Sequence, residues 1–347
     1  MGVVFTNNDD AYRTALRLKA AGVGIARIID SRAAPEGVLV GAARDAGLEV
    51  TTGHAIAGVA TDMGGRFIEA IKIAPYSAGQ GRVINETRIE CDFVAMSGGW
   101  NPVVHMWCHQ GGKLKFDPAL QGFVPDRHSD AMHSAGSANG RMSVGACIED
   151  GYGAGERAAR AALPKPKAAR VKAPKTDQEA EGALEPIWFA PATGKYNEGN
   201  KHFIDFQNDV TAADLELAQR EGYESIEHTK SYTTLGMATD QGKTSNINAL
   251  GVLSQATGRD IPDIGTTTFR PPYTPISMGS IAGTAVKKLF HPVRKTQVFA
   301  WHEAHGADFE PVGDWRRPYC YPNADEKRHD AVIRVIMVVR EGVGMLD

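Results

Sequence analysis

Phe203-Ile204-Asp205-Phe206-Gln207-Asn208-Asp209-Val210-Thr211 runs straight into Ala212-Ala213-Asp214-Leu215, and this junction decides how the middle of the chain folds. A short strand is expected to feed a helix. Thr211 is the natural N-cap, Asp214 stands at N3, and Val210 and Leu215 are placed to form a hydrophobic staple. Gly222 ends that helix. A second helical pattern follows Ser225 and runs to Leu235. The loop Gly236-Met237-Ala238-Thr239-Asp240-Gln241-Gly242-Lys243 comes next, and a third helix is expected from Asn246 to Thr257, stopped by Gly258. Phe203 to Gly283 therefore reads as a small helical module.

This strand, helix, Gly-Met-containing loop and Gln-Gly-Lys turn resembles the ferredoxin-like modules that hold a two-iron cluster. Set on that pattern, the cluster cysteines correspond to Asp205, Gln207, Asp240 and Ser245, none of which carries sulfur. Iron–sulfur clusters are held by thiolates, so no cluster is expected. The same stretch contains His228-Thr229-Lys230, Thr233 to Lys243, and Thr268-Phe269-Arg270-Pro271-Pro272-Tyr273-Thr274-Pro275-Ile276-Ser277. With these words it resembles the alpha subunits of heterotetrameric sarcosine oxidases, and the resemblance continues over essentially all 347 residues.

Composition agrees with a globular protein of two or three domains: 42% of residues are hydrophobic and 23% charged. A formal net charge of −3 gives no electrostatic reason to expect nucleic acid or an anionic membrane surface as a partner. Four cysteines, Cys91, Cys108, Cys147 and Cys320, are scattered without a Cys-x-x-Cys pair, which argues against a disulfide framework or a structural zinc. No run approaches about 18 consecutive apolar residues, and Met1-Gly2-Val3-Val4-Phe5-Thr6 lacks a signal-peptide layout. A cytoplasmic protein with no membrane partner is expected. The chain opens on a core strand and closes on Gly342-Val343-Gly344-Met345-Leu346-Asp347, which reads as part of a longer protein.

From the start, a strand (Gly2 to Phe5), a helix (Ala11 to Ala21) and a parallel strand (Ile25 to Asp30) form a Rossmann-like unit. Where a Gly-x-Gly-x-x-Gly phosphate loop would lie, the chain has Thr6-Asn7-Asn8-Asp9-Asp10. Without glycines the backbone cannot approach a pyrophosphate, and two carboxylates would repel it. Asp9 and Asp10 are read instead as helix-start residues. Asp30 ends the second strand where a ribose-binding acid would sit. A helix from Pro35 to Ala46 leads to alternating strands Ile56 to Thr61 and Phe67 to Ala74, and one return strand is expected from Ile89 to Met96.

That return strand is followed by Ser97-Gly98-Gly99-Trp100-Asn101-Pro102, similar to the crossover motif of flavoproteins with two dinucleotide-binding domains. Its glycines make room for a ligand or a second backbone. Met132 to Gly140 followed by Val144 to Ala162 has the strand, loop and helix of a second FAD motif, with Ser137 in place of the acid that binds the ribityl chain. The family resemblance implies NAD rather than FAD at this site. By position it carries over Gly136, Ala138, Asn139, Val144 and Ala146 as cofactor contacts, with Gly98 and Gly99 from the crossover; a tight loop and helix cap is the alternative reading.

Leu163 to about Gly182 is rich in Pro, Lys and Ala and reads as a solvated linker. After the helical module, Thr266-Thr267-Thr268-Phe269-Arg270-Pro271-Pro272-Tyr273 combines hydroxyls and an arginine suited to hold a phosphate or carboxylate. The resemblance implies FMN between the alpha and beta subunits, so Thr267 and Arg270 are candidates for the alpha side of that site, a rigid connecting segment being the other reading. The last part, from Lys295 to Pro318, looks like the opening of an aminomethyltransferase-type folate domain. His302-Glu303-Ala304-His305 lacks the i, i+4 spacing of a zinc helix, and His105 and His109 have it without a placed further ligand.

The expected organisation is an α/β fold: a partial two-dinucleotide-binding domain at 1–162, a linker at 163–184, a cysteine-free ferredoxin-like module at 185–285 and the start of a folate domain at 286–347. The resemblance implies oxidation of sarcosine to glycine and hydrogen peroxide with formation of 5,10-methylenetetrahydrofolate. It also implies beta, gamma and delta partner subunits, FAD in the beta subunit, and tetrahydrofolate bound mostly outside this chain. No catalytic residue is assigned within the chain. A related amine or imino-acid dehydrogenase subunit, or a non-catalytic scaffold, is the alternative.

Overall fold

The computed structural model describes residues 1–76, 85–127, 132–163, 171–176, 181–190 and 201–344. Its first half is built on one fully buried strand, Gly2–Thr6 (β1). The helix Asp10–Ala20 (α1) follows, then Ile25–Asp30 (β2), the helix Val38–Asp45 (α2) and Val50–Thr52 (β3). β1 pairs in parallel with β2, and β2 with β3, as the Rossmann-like reading required. A parallel strand covered on both faces shows no polar alternation, because both sets of side chains are buried. Val4 and Ile28 point to a core shared with Tyr12, Ala15, Val40 and Ala43 of the two helices. Val3, Phe5 and Ile29 point the other way, into a core with Ile71, Ile73 and Ile89.

The second core belongs to an antiparallel meander of His54–Thr61 (β4), Ile68–Pro75 (β5) and Thr87–Glu90 (β6). The expected single strand Ile89 to Met96 is in fact two. Ile89 lies in β6, and the parallel sheet is completed by Phe93–Ser97 (β7), giving the order β3-β2-β1-β7. The chain changes sheets at two consecutive residues. Cys91 N donates to Glu69 O at 3.1 Å, beside the meander, and Asp92 N to Met1 O at 2.7 Å, beside β1.

Beyond β7 lie a short helix, His105–His109 (α3), a hairpin of Leu114–Asp117 (β8) and Gly122–Pro125 (β9), and a 3₁₀ turn at Gly136–Asn139. The helix Val144–Ala162 (α4) starts at the N-cap Ser143, whose hydroxyl accepts from Ala146 N. The expected linker lies partly outside the described residues, at 164–170 and 177–180. Residues 171–176 carry no regular structure.

The helical module follows its sequence signals closely. Phe203–Asp205 (β10) and Val210–Thr211 (β11) pair, and Ala212–Arg220 (α5) begins with a complete capping box. Thr211 N donates to Asp214 Oδ2 at 2.8 Å, and Asp214 N to Thr211 Oγ1 at 3.3 Å. Ile226–Thr233 (α6), Asn246–Thr257 (α7) and Ile261–Ile264 (α8) complete it. Val210, Leu215, Ile226, Leu235, Leu250 and Leu253 form its core, joined by Trp188 and Phe189.

The chain divides into two compact units, Met1–Pro275 and Ile276–Asp347. The second contains Met278–Ala282 (α9), a mixed sheet of Arg294–Lys295 (β12), Asp308–Val312 (β13) and Trp315–Cys320 (β14), the helix Phe299–Ala304 (α10) and a final helix Arg328–Glu341 (α11). Among the described residues no helix is long and apolar enough to cross a membrane.

Candidate functional site

The carboxyl ends of parallel strands are where open α/β sheets bind ligands. At the β1 end, however, the chain has filled the place itself. Asp30 is fully buried, with Oδ1 accepting from Arg32 N and Arg32 Nε at 2.9 and 3.1 Å, and Oδ2 from Tyr12 Oη and Arg32 Nη2, both at 2.8 Å. Arg32 Nη2 is also 2.8 Å from Asp9 Oδ1, an ion pair without hydrogen-bond alignment. Burial alone would lower the Arg32 pKa, but the hydrogen bonds and charge of Asp30, and then the neighbouring Asp9, raise it. Burial first, then the Asp30 carboxylate, pushes the Tyr12 phenol up. Asp30 thus has no oxygen left for a ribose. Asp9 is the N-cap residue of α1 and Asp10 lies in its first turn, as read from the sequence, but the Asp9 carboxylate makes no capping bond and turns instead to Arg32 and Gly182.

The end of the expected linker is fixed by this cluster. Gly182 N donates to Asp9 Oδ2 at 2.6 Å, Arg32 Nη1 to Ala183 O at 3.2 Å, and Glu185 N to Asn7 O at 3.2 Å. A Cβ on Gly182 would lie 2.6 Å from Glu36 O. Leu184, Pro186, Ile187 and Trp188 then form one side of a cleft of about 440 Å³. Gly98, Gly99 and Trp100 border it after β7, and Lys243, Thr244, Ile247, Asn248 and Tyr273 line it from the helical module. Gly99 has φ +99°, and a Cβ there would lie 2.5 Å from Leu184 Cδ1. The positive φ is what favours glycine here, since the Leu184 methyl is the end of a flexible side chain.

The structure brings the Gly98–Gly99 pair near the second candidate loop. Thr267 lines a small adjoining cavity of about 30 Å³ that shares Asn101, Pro102 and Ile247 with the cleft. Its hydroxyl is buried and accepts from Asn246 Nδ2 at 2.7 Å. The loop is anchored by α6: Glu227 accepts from Thr268 N, and Lys230 Nζ donates to Thr268 O at 3.3 Å. Lys230 is 5% exposed, and its pKa is pushed down chiefly by burial. Arg270 is exposed, and its guanidinium has no carboxylate within ion-pair distance among the described residues.

Sequence reasoning passed over Tyr273, Lys243 and the surroundings of His105. Tyr273 stacks on His105 with centroids 4.0 Å apart, and Lys243 Nζ lies 4.6 Å from the Tyr273 ring centroid. Burial, then the charges of Asp240 and Cys108, pushes the Tyr273 phenol up to about 12. Burial, then His109 and Lys243, pushes His105 below the ordinary imidazole range. His105 and His109 rings meet edge-on at 5.6 Å, and among the described residues no group of three or more metal-ligating side chains is assembled.

The remaining candidates, Gly136, Ala138, Asn139, Val144 and Ala146, do not line this cleft. Gly136 N and Asn139 Nδ2 both donate to Asp150 Oδ2, at 3.0 and 3.1 Å. Asp150 lies on α4, and nothing in the local motif reveals that it turns back to this loop. Ala146 N is taken by the Ser143 cap at 3.3 Å, whereas Val144 is 75% exposed.

Of the four positions aligned with cluster cysteines, Asp205, Gln207 and Asp240 are linked through hydrogen bonds. Asp205 Oδ1 accepts from Gln207 N at 2.9 Å and Asp205 Oδ2 from Gly236 N at 2.7 Å. Gln207 Oε1 accepts from Thr239 Oγ1 and Asp240 N, both at 3.2 Å. Asp240 Oδ1 accepts from Gly242 N at 3.1 Å. Ser245 is buried with an unpartnered hydroxyl.

Comparison with known proteins bears on the whole chain. Residues 199–285 match the family model of the sarcosine oxidase A3 domain. The chain is 38% identical over 347 residues to the sarcosine oxidase subunit alpha of Corynebacterium sp. (strain U-96), covering 99% of this chain and 35% of that protein. It is 38% identical over 346 residues to the subunit alpha of Rhizobium meliloti (strain 1021), covering 99% and 33%. Among solved structures, L-proline dehydrogenase from P. horikoshii aligns over 80% of this chain and 78% of that one, with 14% identity and a TM-score of 0.39, which is too distant to carry an argument. The chain spans about a third of the length of the curated relatives it matches, and over nearly its whole length it is similar to sarcosine oxidase alpha subunits, with residues 199–285 matching their A3 domain.

Proposed function

We propose that this chain serves as the cofactor-holding and subunit-contacting part of a sarcosine-oxidising assembly. The observation that carries the reading is the cleft at Gly98–Gly99, where the crossover loop and the Thr266–Tyr273 loop lie side by side in a chain 38% identical to sarcosine oxidase alpha subunits over nearly its full length. The proposed reaction is oxidative demethylation of sarcosine to glycine, with hydrogen peroxide and 5,10-methylenetetrahydrofolate as the other products. The proposed assembly adds beta, gamma and delta subunits, with FAD in the beta subunit and tetrahydrofolate held mostly outside this chain. Flavin supplies the redox chemistry when bound.

The chain's own residues bind and orient. Buried Thr267, tied to Asn246, sets the loop from which Arg270 projects, and an unpaired guanidinium is suited to an anionic group. Arg270 is therefore the candidate contact for FMN at the interface with the beta subunit, and Thr267 its support. The Gly136–Ala146 loop fits NAD less freely: Gly136 N and Asn139 Nδ2 are already satisfied by Asp150, leaving Ala138 and the exposed start of α4 at Val144 as its open side. The test is to purify the native assembly through this chain, denature it and identify what is released. NAD, FMN and FAD together with co-purifying subunits support the reading. A chain recovered alone and colourless refutes it.

A further inference from the structure

The segment 266–270, which carries Arg270, has no regular secondary structure. Polar backbone groups in such a segment need partners from elsewhere, and side chains of the helical module supply them. Glu227 and Lys230 of α6 hold the peptide groups at Thr268 N and Thr268 O. Gln241 Oε1 accepts from Arg270 N at 3.4 Å. Asn246, the first residue of α7 and 6% exposed, donates through Nδ2 to Thr267 Oγ1 at 2.7 Å and to Gln241 O at 3.3 Å. One buried amide is thus bonded both to the loop 236–243 and to the segment that carries Arg270.

The loop is wrapped around that amide. Gly236 and Gly242 lie at φ +63° and +75°, and a Cβ on either would fall 2.5 or 2.1 Å from Asn246 Oδ1, an atom whose amide is buried and bonded through its nitrogen. From its other side the loop is held by two of the positions aligned with cluster cysteines. Asp205, 2% exposed, takes Gln207 N and Asn208 N on Oδ1 at 2.9 and 3.2 Å, and Gly236 N on Oδ2 at 2.7 Å. Hydrogen bonds from backbone N–H to a carboxylate are roughly twice as strong as neutral ones. Gln207 Oε1 takes Thr239 Oγ1 and Asp240 N, both at 3.2 Å.

We infer that Asp205 and Asn246 are positioning residues, which make the loop 236–243 a brace that fixes the place of Arg270. The chain of contacts runs from Asp205 through Gly236 to Asn246, and from there to Thr267 and, through Gln241, to Arg270 N. The inference concerns where Arg270 is held, and rests on the function proposed above only for what Arg270 touches.

The test is hydrogen–deuterium exchange of the full chain, read by mass spectrometry in four variants. Asn246→Ala and Thr267→Val should each raise exchange over residues 265–273 about fivefold, the equivalent of one net hydrogen bond, while the centre of α7 and the capping box at Thr211 keep parental protection. Thr267→Ser keeps the hydroxyl and should restore parental exchange. Asp205→Asn leaves one backbone donor without its acceptor and should loosen residues 236–243 and 265–273 together. Unchanged exchange over 265–273 in Asn246→Ala and Thr267→Val, a Thr267→Ser variant no better than Thr267→Val, or equal loosening of α7 overturns the inference. Should Asn246→Ala fail to fold, the contrast between Thr267→Val and Thr267→Ser decides. Flavin released from assemblies purified through the same variants separates the two proposals. A loosened segment in an assembly that keeps its FMN leaves the brace standing and removes Arg270 as the FMN contact. An undisturbed segment in an assembly that carries FMN sinks the brace alone.

Discussion

Replacing Arg32 by Met is expected to destabilise the first compact unit by about 3–5 kcal/mol, the range for breaking a buried charge pair by removing one partner. Arg32, Asp9 and Asp30 have side chains only 3%, 2% and 0% exposed, so solvent screening does little to reduce the effect. The guanidinium makes three hydrogen bonds to Asp30 and one to Ala183 O, and pairs with Asp9. Methionine keeps the length and apolar stem but leaves two carboxylates buried. Each retains some support, Asp30 from Tyr12 and Asp9 from Gly182 N, which places the expectation near the lower end, about 3 kcal/mol. Urea unfolding followed by tryptophan fluorescence measures it as a shift in midpoint at constant slope. Adding Asp30→Asn to Arg32→Met should recover part of the loss, because the remaining cost is an uncompensated charge. A loss below about 1 kcal/mol, the level of an exposed pair, would refute the reading of this cluster as a buried clamp.

Two further outcomes follow from the same geometry. Asp150→Ala should free Gly136 N and Asn139 Nδ2 and raise amide exchange across Gly136–Asn139 at least several-fold, while the capping box at Thr211 stays protected; unchanged exchange would mean that Asp150 does not hold this loop. His105 and His202 are both pushed below the ordinary imidazole value, chiefly by burial. Unfolded chains therefore bind protons first as pH falls, and stability should decline from about pH 6.5 down towards the lowered folded values and level out above pH 7. His105→Phe should flatten that slope in urea midpoints measured between pH 5 and 7.5. A slope equal to the parent's would exclude His105 as a contributor.

What was legible in the sequence was local. Thr211 and Asp214 lie three residues apart, so their reciprocal capping could be read directly, and Gly258 marks the end of α7 with φ +69° because few other residues tolerate that conformation. The parallel arrangement of β1 and β2 followed from two apolar runs around a helix. What escaped was decided by distant partners. Asp9 is the helix start its position suggests, but nothing local shows that its carboxylate serves Arg32 and Gly182, or that Asp30, at the place of a ribose-binding acid, is closed off by Tyr12 and Arg32. The apolar run Ile89 to Met96 hides a change of sheet because both halves are equally suited to a strand. Gly98, Gly99 and Thr267 were each identified singly, but their approach depends on how α7 and the strap pack, which no spacing encodes.

The most direct test of the account is the visible spectrum of the native assembly purified through this chain, recorded before and after anaerobic addition of sarcosine. The account predicts flavin bands that bleach on addition and return with air. An assembly without flavin bands, or with bands that sarcosine leaves unchanged, would contradict it.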